Sequence, residues 1–564
     1  MLRRLSQDRL GWSVSFLLFV LVLYPLLAVI IQVLLPGVFF GHWGLGDLNL
    51  LLEIFRRPLW QKSLENSVVL ACGTTVLATL LGGIFAMIRA TWQFPTAKLL
   101  DAAVWVLLIM PSFILAQGWV MFSASGGLAV HLLGWTWITK AVFQPAGLIV
   151  VMTLSKFPLA YLSVRSAMEW KVEQLSEAAR LNGASPFRVW RTIQAPLLLP
   201  AILAGAALVF MDTIGDFGLP ASIAAIYRFP TLPYSIYSAL YTSPIRFDMA
   251  GVLSFYLVVL IGLAMLLQFY ALRRSRFDFL SARAVPAKPK SAGRFTWLLM
   301  LMNLVFLFVV IGVPIGSNLI LSFMKTQAGG IRPDNLTLEH YRSLFRGGSE
   351  LLIGLERSLT IALIAAAIGL LIGLMVAYVL SYSGFRFKRG IEVLSLVTLA
   401  VPGVVLGIGY IFVWNQRWLD RIGLLLYGKP AILVLAAIAG AIPVITRVLI
   451  GAMAKVPGNL LHAAQLNGDT WLGRMRRVLA PLIRGALLSA GLAAFGSSVF
   501  DLAVNSILFP PNFITFPISV NKAFEDMRFG YASAATILGG SLVVLIILLL
   551  EILLRRKEVN HDPT

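Results

Sequence analysis

Long uninterrupted apolar stretches constrain this chain more than any other feature. Residues 13–35, 67–88, 250–272, 297–324, 359–382 and 532–550 contain no Asp, Glu, Lys or Arg. Roughly 20 apolar residues cross the hydrocarbon core of a bilayer as a helix. Lipid offers the backbone no hydrogen-bond partners, so a helix, which satisfies its own, is the expected form. A hydropathy pass over all 564 residues yields about twelve such segments. Only 13% of residues are charged and 59% are apolar, against about a quarter charged in a soluble domain. The sequence predicts an all-α polytopic membrane protein.

The net charge is +21. In a soluble protein that would point to nucleic acid, but the placement of the charges points elsewhere. Arg3, Arg4 and Arg9 precede the first span, and Arg89 and Lys98 follow the second. Arg273, Arg274, Arg276, Arg283, Lys288, Lys290 and Arg294 follow the sixth. Arg386, Lys388 and Arg389 follow the eighth, and Arg555, Arg556 and Lys557 follow the last. All lie on one side if the N-terminus is cytoplasmic, which is the positive-inside pattern. Both termini are then expected in the cytoplasm, with membrane lipid and no nucleic acid as surroundings. The first apolar run exceeds a signal-peptide core and reads as an uncleaved span. The single cysteine, Cys72, can form neither an internal disulfide nor a zinc cluster. It reads as a small packing residue.

The chain repeats itself. Leu64-Glu65-Asn66-Ser67 returns as Leu355-Glu356-Arg357-Ser358, and Met110-Pro111 as Val401-Pro402. Phe157-Pro158 returns as Ile442-Pro443, Ala167-Met168 as Ala452-Met453, Asp216 as Asp501, and Arg246-Phe247 as Arg528-Phe529. The order is kept while the offset shrinks slowly, as small loop deletions would produce. The boundary falls in the basic, Pro-containing stretch 273–296, which reads as a solvated linker. The first half is then 1–272 and the second 297–564, each of about six spans. An even number gives two parallel repeats, with a pathway expected at their interface.

The cytoplasmic loop after the fourth span reads Glu177-Ala178-Ala179-Arg180-Leu181-Asn182-Gly183, and nine residues separate it from Ile193-Gln194-Ala195-Pro196. After the tenth span comes His462-Ala463-Ala464-Gln465-Leu466-Asn467-Gly468, again nine residues before Val478-Leu479-Ala480-Pro481. Glu, Ala, Arg and Leu are good helix formers. Gly183 and Gly468 are expected to break the helix, and Pro196 and Pro481 to start the next one. The pair resembles the EAA loop of ABC importer permeases, written EAA-x3-G-x9-I-x-L-P. The resemblance covers nearly the whole chain as two MetI-like permease units in tandem, closest to ferric-iron and thiamine systems. Ala195 and Ala480 stand where the family usually has leucine, and His462 where it has glutamate.

The resemblance implies the type I importer permease fold in a bacterial inner membrane. It implies that the loops near 171–192 and 456–477 are coupling helices, each docking on one of two copies of a cytoplasmic ATPase. The coupling residues carried over are Glu177, Ala178, Ala179, Gly183, Pro196, His462, Ala463, Ala464, Gly468 and Pro481. A periplasmic or lipid-anchored solute-binding protein would dock outside. The loss of glutamate at His462 makes the two ATPase contacts unequal. No G-x-x-x-x-G-K-[ST] phosphate loop occurs, and Gly428-Lys429 lacks its spacing. ATP and Mg are therefore expected on the separate ATPase, with no cofactor, metal site or catalytic residue on this chain. His42, His131, His340, His462 and His561 are scattered and read as loop or interface residues.

Ionisable groups at membrane depth are functional candidates by default. Asp212, Asp216 and Asp501 follow the fifth and eleventh spans. They are candidates for an outer vestibule or cation path, with helix-end carboxylates as the alternative. Lys156, inside the fourth span, is expected to snorkel or to pair with a carboxylate. Tyr234, Tyr237 and Tyr241 read as an interfacial aromatic belt, with ferric-iron contact as the alternative. The expected function is ATP-driven inward transport of a small solute, with ferric iron first and thiamine, polyamine or phosphonate as alternatives. A secondary transporter with two six-helix halves shares the repeat but does not predict the paired loops. A membrane enzyme would need catalytic clusters that are not evident.

Overall fold

The computed structural model describes residues 2–36, 48–168, 172–274, 289–346 and 348–559. His42, His561, Lys171 at the start of the first coupling loop and residues 275–288 of the linker lie outside them. Among the described residues, ten helices are long and apolar enough to cross a membrane, or twelve if two bent pairs each count as one span. The first half contributes Arg9–Leu34, Pro58–Thr91, Ser112–Leu133, Pro145–Met168, Pro186–Ile214 and Phe247–Tyr270. The second contributes Gly293–Ser322, Glu350–Tyr382, Ala431–Met453 and Phe529–Leu550, with the bent pairs as its third and fifth spans.

Prolines set the breaks. A residue before proline is pushed out of the α region, and both Met110 (ψ 127°) and Val401 (ψ 122°) are extended. The helix Ala97–Ile109 therefore stops and Ser112–Ser123 starts afresh, as Lys388–Ala400 and Gly403–Trp414 do in the second half. Four other prolines are each preceded by a widened turn. Wide π turns at Phe19–Leu23, Trp190–Gln194, Phe308–Gly312 and Met475–Leu479 each end two residues before Pro25, Pro196, Pro314 and Pro481. A proline ring clashes with the carbonyl four residues back, and in each case that carbonyl lies in the widened turn. Pro196 and Pro481 thus do not start the next helix. Pro196 rides inside the helix that starts at Pro186, whereas the helix that starts at Trp471 ends just after Pro481, at Leu482, and Arg484–Val499 sets off at 84° to it.

The packing units cut the chain differently from the repeat. One unit comprises Met1–Leu51, Ala239–Ser254 and Leu338–Thr564, and the other Leu52–Ser238 and Phe255–Thr337. Each unit is thus mostly one half's later spans with the first span of the other half, and the first half's Ala239–Ser254 also falls in the second half's unit. In the unit containing Leu52–Ser238, the helix Ser112–Ser123 packs on Val313–Ser322. A Cβ on Gly118 would lie 2.1 Å from the Pro314 carbonyl oxygen, and Asn318 Nδ2 donates to the Ile114 carbonyl at 3.3 Å. The other unit repeats the joint. A Cβ on Gly409 would lie 2.4 Å from the Pro25 carbonyl oxygen. The buried Tyr410 hydroxyl donates to the Leu21 carbonyl at 2.9 Å, an acceptor that Pro25, lacking an N–H, cannot serve.

The repeated Leu-Glu-x-Ser segments have a common task. Ser67 Oγ accepts from the Leu232 N–H at 2.7 Å, and Ser358 Oγ from the Phe516 N–H at 3.0 Å. Leu232 and Phe516 open the short helices Leu232–Tyr241 and Phe516–Glu525. The first N–H groups of a helix have no partner within it, so each serine closes one such gap from a neighbouring span.

Candidate coupling loops and charged clusters

The two loops fold alike. The helix Val172–Leu181 ends at Gly183 with φ +83°, and Gly458–Leu466 ends at Gly468 with φ +86°. A left-handed glycine just past the helix end lets two following N–H groups turn back onto its last carbonyls. Gly183 donates to Arg180 at 2.9 Å and Ala184 to Ala179 at 3.0 Å. Gly468 donates to Gln465 at 3.0 Å and Asp469 to Ala464 at 3.1 Å. The preceding asparagines also match: Asn182 Nδ2 donates to the Ala178 carbonyl at 2.8 Å and Asn467 Nδ2 to Ala463 at 3.0 Å. Ser185 and Thr470 then cap the next helices, accepting from Arg188 and Gly473.

This turn projects apolar groups outward. Leu181 and Leu466, at matched positions, are each 89% exposed, and Phe187 and Leu472 follow at 69% and 67%. Glu177, Ala178, His462 and Ala463 are exposed, while Ala179 and Ala464 are half-buried. Such a surface is suited to a protein partner. The loops differ where the sequence differs. Glu177 Oε1 lies 3.2 Å from Lys290 Nζ at the end of the basic linker, with both side chains about half exposed. Beside it Trp92–Gln93 pairs in parallel with Lys290–Ser291. An exposed pair of this kind contributes about 0–1 kcal/mol, so it orients the linker more than it stabilises the fold. In the second loop Arg474 donates to Gln465 at 2.9 Å and Arg477 pairs with Asp469 at 3.0 Å.

Lys156 of the fourth span lies 2.6 Å from Asp212 Oδ2 and 2.6 Å from Asp216 Oδ2. Asp216 Oδ1 also accepts from Ser112 Oγ at 2.9 Å and from the Leu219 N–H at 3.1 Å. Asp216 is buried, whereas the Asp212 side chain is 49% exposed. Asp501 caps the helix Leu502–Leu508, accepting from the Val504 N–H at 3.0 Å. Both repeat-related carboxylates therefore bind the first turn of the following short helix. The second half has Ala441 and Ser497 where the repeat places Lys156 and Asp212, so the three-membered cluster belongs to the first half alone.

A second cluster was not foreseen. Asp101 accepts from Arg89 Nε and Nη2 at 3.0 and 2.9 Å, from the Tyr161 hydroxyl at 2.8 Å, and from Arg165. It ties the helix Ala97–Ile109 to the ends of the second and fourth spans. Arg89 reads in sequence only as a topology marker; a lone Asp among apolar residues 97–109 was the available signal. Of the three tyrosines, Tyr237 sits against Phe217 and Tyr234, and Tyr241 stacks on Phe509 while donating to the Ile507 carbonyl at 3.3 Å.

Two tandem sets of spans, each with an exposed, glycine-terminated short helix between two of its spans, are the pattern of a transport permease. The chain belongs to the binding-protein-dependent transport system inner membrane component family, whose profile matches residues 78–277 and 369–559. The matches leave out the exchanged first spans. A probable ABC transporter permease protein of Sinorhizobium fredii is 23% identical over 534 residues, covering 91% of this chain and 89% of that protein. The ferric transport system permease protein FbpB of Actinobacillus pleuropneumoniae is 23% identical over 538 residues, 93% of this chain and 74% of its own. The molybdenum transport system permease protein ModB of Escherichia coli is 32% identical over 196 residues, 34% of this chain and 81% of its own. The chain is thus an integral inner-membrane ABC transporter permease. Membership implies an ATPase and a solute-binding protein as partners.

Proposed function

We propose that this chain is the pseudo-dimeric permease of a ferric-iron importer. Both termini lie in the cytoplasm. Two copies of an ATPase, which bind ATP and Mg, seat on Glu177–Gly183 and on His462–Gly468. Nucleotide-driven closure of the ATPases moves these helices and switches the permease between inward- and outward-facing states. Such a switch requires that nucleotide bind the two states with different affinity. The solute-binding protein delivers cargo from outside.

The observation that carries the iron reading is similarity to a ferric permease over 93% of the chain. The cluster of Lys156, Asp212 and Asp216 adds support. Its formal charges leave one negative charge, with Asp212 half exposed, which favours a passing cation. An oxyanion is the second reading, because the molybdenum permease is the more identical relative over a single half. Uptake of radiolabelled ferric iron and molybdate in a deletion strain, with and without the restored gene, separates them. Restored iron uptake is expected. Unchanged iron uptake with restored molybdate uptake overturns the cargo reading. Gly183→Asp with Gly468→Asp should abolish uptake and ATPase co-purification. Intact uptake in that double variant would overturn the coupling reading.

A further inference from the structure

The end of the third span and its connection to the fourth carry an apolar surface that the transport reading does not use. Helices Leu128–Leu133 and Trp137–Val142 are joined through Gly134, whose φ is +67°. The Gly134 N–H donates to Val130 at 3.1 Å and the Trp135 N–H to Ala129 at 3.2 Å, which fixes the turn. One face packs inward: Leu128, Ala129, Ile138 and Val142 are buried, and Thr139 Oγ1 donates to the Ser123 carbonyl at 2.7 Å. The other face is also apolar. Leu132 is 54% exposed, Leu133 50%, Trp135 42% and Trp137 59%. The two indoles lie 5.9 Å apart.

We propose that residues 131–137 are seated in the outer-leaflet interface of the bilayer, with Leu132, Leu133, Trp135 and Trp137 in contact with lipid. The fourth span fixes the depth. Its 24 residues extend about 36 Å at the helical rise, against a hydrocarbon core of about 30 Å. Pro145 opens that span three residues after Val142. The turn therefore sits where the helix leaves the hydrocarbon, the level at which tryptophan accumulates. The surface runs into the lipid-facing side of the same span, where Val150 is 49% exposed. Charge agrees. Between residues 124 and 144 the ionisable side chains are His131 and Lys140, whereas the matching connection has Arg417, Asp420, Arg421 and Lys429. An uncharged aromatic-aliphatic face suits lipid better than a polar-rimmed protein interface. The choice of leaflet rests on the importer topology; the contact with lipid does not.

Spin labelling tests the contact. In a Cys72→Ser background, single cysteines replace Leu133, Thr136 or Trp137 in the full chain, reconstituted with its ATPase in nanodiscs. Leu80, exposed on the second span, is the lipid reference, and Asn512 of an exposed outer turn the aqueous one. Power saturation should give an oxygen-over-nickel-chelate accessibility ratio at 133 and 137 above that of Asn512 and no higher than that of Leu80. A ratio that groups with Asn512 overturns the proposal, and so does protection from both reagents, which would mean a protein cover. Hydroxyl-radical footprinting of the unsubstituted protein is independent of folding effects. Trp135 and Trp137 should oxidise as little as Trp105, which is 58% exposed on the apolar helix Ala97–Ile109, and far less than the outer Met527, which is 78% exposed. Oxidation matching Met527 refutes the lipid seat.

Discussion

Gly118→Val should loosen the joint between a half and its borrowed first span. A Cβ at this position would lie 2.1 Å from the Pro314 carbonyl oxygen and 2.5 Å from its Cα. Both are backbone atoms, so no rotamer change relieves the clash. The helices must separate by more than about an ångström, and a gap of 0.5–1 Å already forfeits about a quarter to a half of a contact's dispersion energy. Forced overpacking of this kind costs about 1–3 kcal/mol. The helix-propensity gain over glycine offsets only a few tenths of that. Gly316→Val is the matched control. Gly316 lies in the helix Val313–Ser322 that Gly118 packs against, but a Cβ there meets nothing within 4 Å. Melting in detergent, followed by size-exclusion fluorescence, should show a clear drop for Gly118→Val. It should show a smaller drop for Gly409→Val, whose Cβ would sit 2.4 Å from the Pro25 oxygen, and little change for Gly316→Val. Equal midpoints for all three would refute the close helix joint and with it the exchange of first spans.

Two further perturbations follow from the charged and capping groups. Lys156→Met leaves Asp216 buried without its cation, a loss of about 3–5 kcal/mol, so yield and melting midpoint should fall. Lys156→Met combined with Asp216→Asn should recover part of the loss, as a double-mutant cycle in the same melting assay would reveal. Ser67→Ala and Ser358→Ala each strip the acceptor from the first N–H of a short helix, which should cost about 0.5–2 kcal/mol apiece. Amide exchange at Leu232 and Phe516 should accelerate in the respective variant only; unaltered exchange would argue against the shared role.

Much of the architecture is legible because lipid makes the rules strict. Spans announce themselves by length, Met110-Pro111 and Val401-Pro402 announce breaks, and Gly183 and Gly468 announce turns that need a positive φ. The wide turns ahead of Pro25, Pro196, Pro314 and Pro481 were not anticipated, because a proline in sequence does not say whether a helix breaks or widens. The exchanged first spans have no local signature either. Pro25 meets Gly409, and Pro314 meets Gly118, across hundreds of residues, and composition carries no record of which partner a lipid-soluble helix chooses. Lys156 was expected to snorkel or pair, but its two partners lie on the next span and only folding brings them to 2.6 Å. The Glu177–Lys290 pair was hidden for the same reason: the linker reads as solvated chain, yet its end pairs with Trp92–Gln93 beside the first coupling helix.

The central claim is that two similar but unequal loops each engage an ATPase. Ala178→Cys or Ala463→Cys, both exposed, can carry a thiol-attached photo-crosslinker in a Cys72→Ser background. The assembled transporter is irradiated in nanodiscs with and without ATP and Mg. Covalent adducts with the ATPase are expected from both positions, in yields that differ between the two loops. Adducts from neither position, or from only one of them, would contradict that claim.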